Sequence, residues 1–179
     1  MINGKNISLR GLELTDVQEL MKHWNRKEVK QFLLTMSPHS KEEEVEWIKS
    51  TWERRKKGES YIFAIEHIGE QRYIGNIELN ITDQISRRGE IGIVIFNSDF
   101  WSKGYGSEAL KLLLDFGFKG LNLNSIELQV FETNPRAIKC YSNVGFKEVG
   151  RRRKARFFEG KYIDLLLMDI LRQEFLSSD

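Results

Sequence analysis

The sequence has little cysteine, little histidine and little proline among its 179 residues. Its one cysteine, Cys140, cannot form a disulfide within the chain, which excludes a small disulfide-stapled fold. The three histidines lie far apart and lack metal-ligand spacing, so we expect a site without a metal. Together these absences favour a protein of the reducing cytoplasm.

Long apolar runs, linkers and a large net charge are absent as well. The N-terminal stretch MINGKNISLRGLE alternates polar and apolar residues, which predicts neither a signal peptide nor a membrane anchor. Two prolines and no Gly/Ser-rich stretch offer no linker, so we expect one domain over residues 1–179. A net charge of +2 gives no overall attraction to nucleic acid, so any charge argument must be local.

Hydrophobic periodicity is the clearest positive signal in the chain. Residues 7–9 alternate as in a first strand, and Thr15 and Ser40 are predicted to cap the two helices that follow. The stretches YIFAIEHIG, YIGNIELNI and GEIGIVIF then predict three successive strands. The remaining predicted elements are a helix over 104–118, the strand SIELQVF, a short helix after Pro135, and the strands FKEVGRRRKARFF and KYIDLLLMDIL. Because strand, helix and strand in succession form a right-handed crossover, we predict a mixed, strongly twisted α/β sheet.

The stretch WSKGYGSE, residues 101–108, begins the helix that follows the strand GEIGIVIF. Gly104 and Gly106 leave the first backbone N–H groups of this helix accessible to a phosphate, and Lys103 and Ser107 add a cation and a hydroxyl. The spacing fits neither the Walker loop nor the GxGxxG dinucleotide loop. Taken alone, it is equally typical of a turn glycine followed by a helix start.

A second stretch, NPRAIKCYSNVGF, predicts a helix that Asn134 caps and Pro135 opens. Ala137, Ile138 and Tyr141 share one face of that helix, so the tyrosine is expected to point inward. A buried tyrosine is either a core residue whose hydroxyl meets a backbone carbonyl or a proton donor inside a site. The residues of this stretch alone leave both interpretations open.

Together these stretches and their order resemble the GNAT superfamily of acetyl-CoA-dependent N-acetyltransferases. The pyrophosphate loop of that family has the form Q/R-x-x-G-x-G/A, and WSKGYG matches both glycines but has Trp101 where Gln or Arg is usual. Three features resemble the ribosomal-protein-alanine acetyltransferase branch of the superfamily. They are that tryptophan, the pattern N-x-x-A/S-x-x-x-Y-x-x-x-G-F in the second stretch, and the terminal hairpin EVGRRRKARFFEGKYIDLLLMDIL. The resemblance covers essentially the whole chain and is specific for the superfamily, but not for the acceptor.

The resemblance implies a mixed sheet of six or seven strands flanked by about four helices and splayed into a V between its fourth and fifth strands. Acetyl-CoA is the implied co-substrate and would lie in that V. Backbone groups of the loop would hold its pyrophosphate, the fourth strand would pair with the pantetheine amides, and Tyr141 would lie near the thioester sulfur. The implied cofactor-binding residues are Ile93, Val94, Ile95, Trp101, Ser102, Lys103, Gly104, Tyr105, Gly106, Ser107 and Asn134.

Amine acetylation needs a base, because an alkyl ammonium like that of lysine has a pKa of about 10.4 and must lose a proton before it attacks a thioester. Glu90, which opens the fourth strand, is our preferred base acting through water, and a solvated glutamate after a turn is the alternative. Glu78 on the preceding strand is the second candidate, and Glu28 is a weaker one. A backbone N–H around Val94 would stabilise the oxyanion, and Tyr141 would protonate the departing thiolate. The predicted catalytic residues are therefore Tyr141 and Glu90.

The acceptor stays open at this stage. A protein N-terminus, another small-molecule amine, a polyamine, an aminosugar or an antibiotic would satisfy the chemistry. Glu42–Glu44 at a substrate mouth would favour a polyamine, although the exposed side of a helix is the favoured interpretation of that stretch. A non-catalytic acyl-CoA-binding module would keep the glycines and lose the acid and the base. Arg151–Arg156 could contact RNA or the 3′-phosphate of the cofactor, but alternate residues of a strand face opposite ways, which favours a solvated edge strand and argues against a nucleic-acid partner. The same terminal strands leave an edge at which a homodimer could form.

Overall fold

Eight strands form one mixed sheet in the computed structural model, which describes residues 1–33, 35 and 37–177. The strands are β1 Ile2–Asn3, β2 Ile7–Arg10, β3 Ser60–His67, β4 Arg72–Asp83, β5 Arg88–Ile95, β6 Ser125–Phe131, β7 Lys147–Phe158 and β8 Lys161–Leu171. Their order across the sheet is β1-β2-β3-β4-β5-β6-β8-β7. The predicted mixed α/β sheet is confirmed, and the count exceeds six or seven because β1, with two residues, is too short to show a period. Positions 178 and 179 of the expected 1–179 domain lie outside the described residues.

Six α-helices flank the sheet in the described part of the chain. They are α1 Val17–Met21, α2 Lys27–Lys30, α3 Lys41–Lys56, α4 Tyr105–Asp115, α5 Pro135–Val144 and α6 Arg172–Leu176. The sequence predicts about four helices and does not predict α2 and α6, which have four and five residues. None of the helices described is long and apolar enough to cross a membrane.

The two predicted caps have different outcomes. Ser40 caps α3 as predicted, because its hydroxyl accepts the Glu43 N–H while the Glu43 carboxylate accepts the Ser40 N–H. The prediction that Thr15 caps α1 is wrong, since a 3₁₀ turn over Leu14–Asp16 precedes that helix. There the Asp16 carboxylate accepts the N–H of Glu13, and Asp16, the residue before α1, makes no side-chain cap to that helix.

Two apolar clusters pack on opposite faces of the sheet, and β5 contributes to both. On the α4–α5 face, Ile93 and Ile95 pack against the cluster that contains Tyr141. On the α1–α3 face, Val94 and Phe96 join a second cluster over β3 and β4. Alternate residues of a strand point to opposite faces, so one strand serves both cores.

The strands β5 and β6 are parallel neighbours that stay paired over only three residues each. Register partners run from Arg88, opposite Ser125, to Glu90, opposite Glu127. Beyond this point β5 continues to Ile95 in register with β4 alone. The two strands therefore separate into the V that the resemblance implies, with α4 as the crossover on one face.

Candidate active site

The open edge of β5 inside the V presents only alternate backbone groups. The Phe96 N–H donates to the Ile74 carbonyl at 3.1 Å, which places the hydrogen-bonded pairs of the β4–β5 ladder at even-numbered residues of β5. Ile93 and Ile95 therefore direct their backbone groups into the V, where they fit the amides of a pantetheine arm. The backbone of Val94 faces β4 instead. Its predicted pairing and its role as oxyanion donor do not agree with this register, which moves both to the neighbouring residues.

Trp101, the first residue of the glycine loop, is anchored to the end of β5. Its indole N–H donates to the Ile95 carbonyl at 2.6 Å, and its ring packs against the cluster on the α1–α3 face. The guanidinium of Arg136, from the start of α5, lies 3.9 Å from the ring centroid. Trp101, which departs from the family pattern, thus connects the loop to the sheet. Its hydrogen bond uses the Ile95 carbonyl, one of the acceptors on the open edge of β5.

The start of α4 has the geometry of an anion-binding site. Gly104 precedes the helix with φ at 89°, and no side chain caps the helix start. The first-turn N–H groups of Tyr105, Gly106 and Ser107 consequently lack helical partners. A Cβ added at Gly106 would lie 3.6 Å from the Cys140 sulfur, so the space beside these N–H groups is narrow but open. An uncapped helix N-terminus of this kind fits a diphosphate.

The two loop glycines are expected to respond differently to alanine. Gly104→Ala should lower the free energy of unfolding by roughly 1–2 kcal/mol, because a left-handed backbone strains a residue with a Cβ. Gly106→Ala meets only ordinary van der Waals contacts and should fold normally, yet its methyl group would crowd the first-turn N–H groups. We expect it to weaken acetyl-CoA binding about tenfold, near 1.4 kcal/mol. Thermal melts and calorimetric titration check both, and unchanged binding by a folded Gly106→Ala would remove the loop from the cofactor site.

The stretch around Tyr141 folds as predicted. Asn134 caps α5 by accepting the Ala137 N–H at 3.2 Å, and Pro135 is the first helical residue. Tyr141 is 8% exposed and its ring packs edge-on against Phe146. Burial raises the pKa of the Tyr141 hydroxyl well above its ordinary value, because the phenolate would lose its hydration. The group is therefore a neutral O–H donor across the working pH range.

Two carboxylates lie on the α1–α3 face of the V, on the other side of the sheet from Tyr141. A Cβ added at Gly92 would lie 2.7 Å from Glu78 Oε1, so the glycine leaves the space that the Glu78 carboxylate occupies against β5. Burial raises the pKa of Glu78 and the charge of Glu90 adds to the rise, while the charge of Arg54 and a hydrogen bond with Asn80 oppose it in part. Glu90 accepts a hydrogen bond from Gln129 Nε2 of β6 at 2.8 Å, across the point where the strands part.

The remaining acidic candidates lie in α2 and α3. Glu43 serves the α3 cap, and the buried Glu44 carboxylate lies 2.6 Å from His39 Nδ1. Glu42 and Glu43 are exposed on the first turn of α3, which agrees with the interpretation of this stretch as the exposed side of a helix. Glu28 lies in α2, and no contact among the described residues joins it to the carboxylates at the V.

The basic run Arg151–Arg156 lies in β7, which is the edge strand that the sequence predicts. Arg151 is paired with Glu132 at 3.1 Å and with Asp164 at 3.3 Å, so part of the charge is neutralised locally. Arg156 is buried, and its guanidinium donates to the Gln31 carbonyl at 2.9 Å. The run therefore does not present one continuous basic surface.

Comparison with known proteins decides the family. The GNAT acetyltransferase domain family matches residues 6–147. The chain belongs to the GNAT family. This GNAT protein is 30% identical to the N-acetyltransferase p20 of Bacillus licheniformis over 172 residues, covering 96% of each chain. It is 28% identical to the spermidine N(1)-acetyltransferase of Escherichia coli K12, covering 99% of this chain and 92% of the relative.

Among solved structures, the spermidine N-acetyltransferase of Vibrio cholerae in complex with CoA and spermine superposes with a TM-score of 0.85. The two are 27% identical, and the match covers 97% of this chain and 99% of the other. The GNAT protein is therefore an N-acetyltransferase with acetyl-CoA as co-substrate. The comparisons support the superfamily and do not show the ribosomal-protein-alanine branch.

The structure also brings residues to the site that sequence reasoning missed. Gln129 and Arg136 reach it through the register of β6 and the packing of α5, which no local pattern encodes. Glu108, one turn into α4, accepts the backbone N–H of Asn6 at 2.8 Å and the Asn6 amide at 2.9 Å, and Gly4 leaves room for its carboxylate. This contact fixes the helix that carries the glycine loop to the start of the chain. An acid four residues after the N-cap Gly104, in the first turn of the helix, is the one local signal for a constrained position.

Proposed function

We propose that this N-acetyltransferase transfers acetyl directly from acetyl-CoA to a primary amine of a polyamine, with both substrates bound together. The observation that carries the proposal is the pair of carboxylates, Glu78 and Glu90, at the place where an amine must approach the V. Each would attract a cationic acceptor, and a polyamine has several ammonium groups to meet them. The two spermidine N-acetyltransferases to which the chain is similar over nearly its whole length support the same acceptor class.

In the proposed mechanism, the substrate ammonium loses its proton on the α1–α3 face of the sheet, and the CoA thiolate receives a proton on the α4–α5 face. Glu78, whose raised pKa makes it a better base than an ordinary carboxylate, accepts a proton from the ammonium through water. The free amine forms the new C–N bond at the thioester carbonyl, and a backbone N–H of Ile93 or Ile95 stabilises the oxyanion. The C–S bond then breaks and Tyr141 donates its proton to the thiolate of CoA. Glu90 orders the water and adds negative charge, so the geometry moves our preferred base from Glu90 to Glu78.

The identity of the acceptor is tested by assaying a panel of amines with acetyl-CoA and measuring the release of free CoA thiol. Spermidine and spermine are expected to show kcat/KM values at least about tenfold above that of butylamine, because a second ammonium adds an attraction of about 1.4 kcal/mol. Putrescine, which differs from butylamine by one amino group, is the matched control for charge. The advantage should shrink as salt rises.

The same panel separates the alternatives. Preference for a peptide with N-terminal alanine would support the ribosomal-protein-alanine branch and overturn the polyamine proposal, and preference for an aminosugar would also overturn it. Acetyl-CoA binding without turnover of any amine would indicate a non-catalytic acyl-CoA-binding module. RNA binding that survives the Gly106→Ala substitution would assign the basic run to nucleic acid instead.

The remaining expectations stay proposals. We retain a single domain over residues 1–179, no resident metal and a cytoplasmic location, which the one cysteine supports. A homodimer is proposed through the exposed edge of β7, where Val149 and Phe157 are 60% and 58% exposed. Light scattering of the purified protein measures the oligomeric state directly.

A further inference from the structure

Arg136 faces the glycine loop from the opposite helix. Its guanidinium carbon lies 3.9 Å from the centroid of the Trp101 ring, and Trp101 is the first residue of the loop. Four residues further along α5, on the same face of the helix, the Cys140 sulfur lies 3.2 Å from Ser107 Oγ at the start of α4. One face of α5 therefore runs along the loop, with Arg136 a turn nearer the helix start.

The Arg136 guanidinium has no acidic partner among the described residues, although ion pairs engage Arg10, Arg72, Arg88 and Arg151. Burial lowers the pKa of Arg136 from its ordinary value, because the cation is partly stripped of water and no carboxylate compensates. The ring of Trp101 supplies the one described attraction for its charge. Arg136 is exposed, so its guanidinium, held on the Trp101 ring beside an uncapped helix N-terminus, is accessible to an anion.

We propose that Arg136 is a cofactor-binding residue that contacts the diphosphate of acetyl-CoA from the α5 side, opposite the first-turn N–H groups of α4. A guanidinium donates two parallel hydrogen bonds to phosphate oxygens, which an ammonium or a backbone amide cannot do alone. Trp101 holds the guanidinium in place before the cofactor arrives. The inference rests on the diphosphate lying at the glycine loop, and it does not depend on which amine is the acceptor.

Arg136→Met tests this role, because methionine keeps an unbranched stem and removes the charge and the donors. The KM for acetyl-CoA is expected to rise about tenfold while kcat at saturation stays within about twofold. The KM for S-acetylpantetheine, which has the thioester but no diphosphate, should be unchanged. Lys111→Met, at an exposed position of α4, is the control for loss of one positive charge and should change neither constant.

The outcomes separate a phosphate contact from a structural one. If KM rises equally for acetyl-CoA and S-acetylpantetheine, Arg136 acts only by holding Trp101, and the proposal is overturned. An unchanged KM for acetyl-CoA overturns it too. Should the wild-type protein turn over S-acetylpantetheine too slowly, competition by ADP gives the answer, since ADP carries a diphosphate without pantetheine. Its inhibition constant should rise about tenfold in Arg136→Met, and an equal constant in both proteins contradicts the proposal.

Calorimetric binding of CoA and ADP needs no acceptor, so this test stands whether or not polyamines are acetylated. Arg136→Lys provides a graded comparison, because lysine keeps the charge and loses the paired donors. We expect it to recover part of the ADP affinity that Arg136→Met loses. Recovery of none of it, together with a normal melting temperature, would show that charge at this position does not act on the diphosphate.

Discussion

Replacement of Tyr141 by phenylalanine is expected to lower kcat by about 10²- to 10³-fold, because the departing thiolate loses its proton donor. The dissociation constant for acetyl-CoA should stay within about twofold, since the substitution removes one oxygen and leaves the ring packed against Phe146. Burial raises the pKa of this hydroxyl, so it remains protonated throughout the assay range and can donate. Its effect on rate should therefore be nearly independent of pH around neutrality.

Initial rates at saturating substrates and calorimetric titration of acetyl-CoA separate these two quantities. Tyr61→Phe is the matched control, because Tyr61 is a partly buried tyrosine of β3 whose ring packs against Phe116, away from α5. It should leave kcat unchanged. Full activity of Tyr141→Phe would remove Tyr141 from the mechanism and return it to the interpretation as a core tyrosine.

Replacement of Glu78 by glutamine is expected to lower kcat/KM by about 10²-fold at neutral pH, because the base is lost while the shape is kept. The pH dependence of the activity identifies the base more directly than the loss of rate does. A base acts only when deprotonated, and the pKa of Glu78 is raised, so wild-type activity should fall as the pH drops through that raised value. Glu78→Gln should lose this acidic limb.

Glu90→Gln distinguishes the base from its neighbour. The charge of Glu90 raises the pKa of Glu78, so its removal should move the acidic limb of the profile to lower pH. We expect a smaller loss of rate than for Glu78→Gln. The opposite ranking, with Glu90→Gln inactive and Glu78→Gln active with its acidic limb intact, would make Glu90 the base. Gly92→Ala should behave like Glu78→Gln, because its methyl group would displace the Glu78 carboxylate.

The parts of the fold that sequence reasoning predicts correctly depend on local chemistry. Ser40 with Glu43, and Asn134 with Pro135, specify helix starts within four residues, and the structure has both caps. The alternation of polar and apolar residues in β3, β4 and β5 is equally local, because it can be recognised within each strand by itself. The prediction at Thr15 fails because Leu14–Asp16 form a 3₁₀ turn ahead of α1, in which the Asp16 carboxylate accepts the N–H of Glu13.

The parts of the site that the sequence could not predict depend on register and on distant packing. The sequence favours Glu90 over Glu78 as the base because it does not show that Gly92 lies opposite Glu78. The space left by this glycine is evident only when the register of β4 and β5 is known. The prediction for Val94 differs from the structure because a sequence does not show which alternate residues of β5 pair with β4. The approach of Arg136 to Trp101 required two helices to be placed in space.

Arg156 joins two segments that lie 125 residues apart in the chain. Its guanidinium covers the Phe131 ring at 4.4 Å and donates to the Gln31 carbonyl, while Lys27 and Glu159 form an ion pair at 2.7 Å beside it. The segment after α1 and the tip of the β7–β8 hairpin are thus held against each other. Because the acceptor in the first segment is a backbone carbonyl, side chains there could change without loss of this link as long as the backbone path is kept, whereas loss of the Arg156 side chain would remove it.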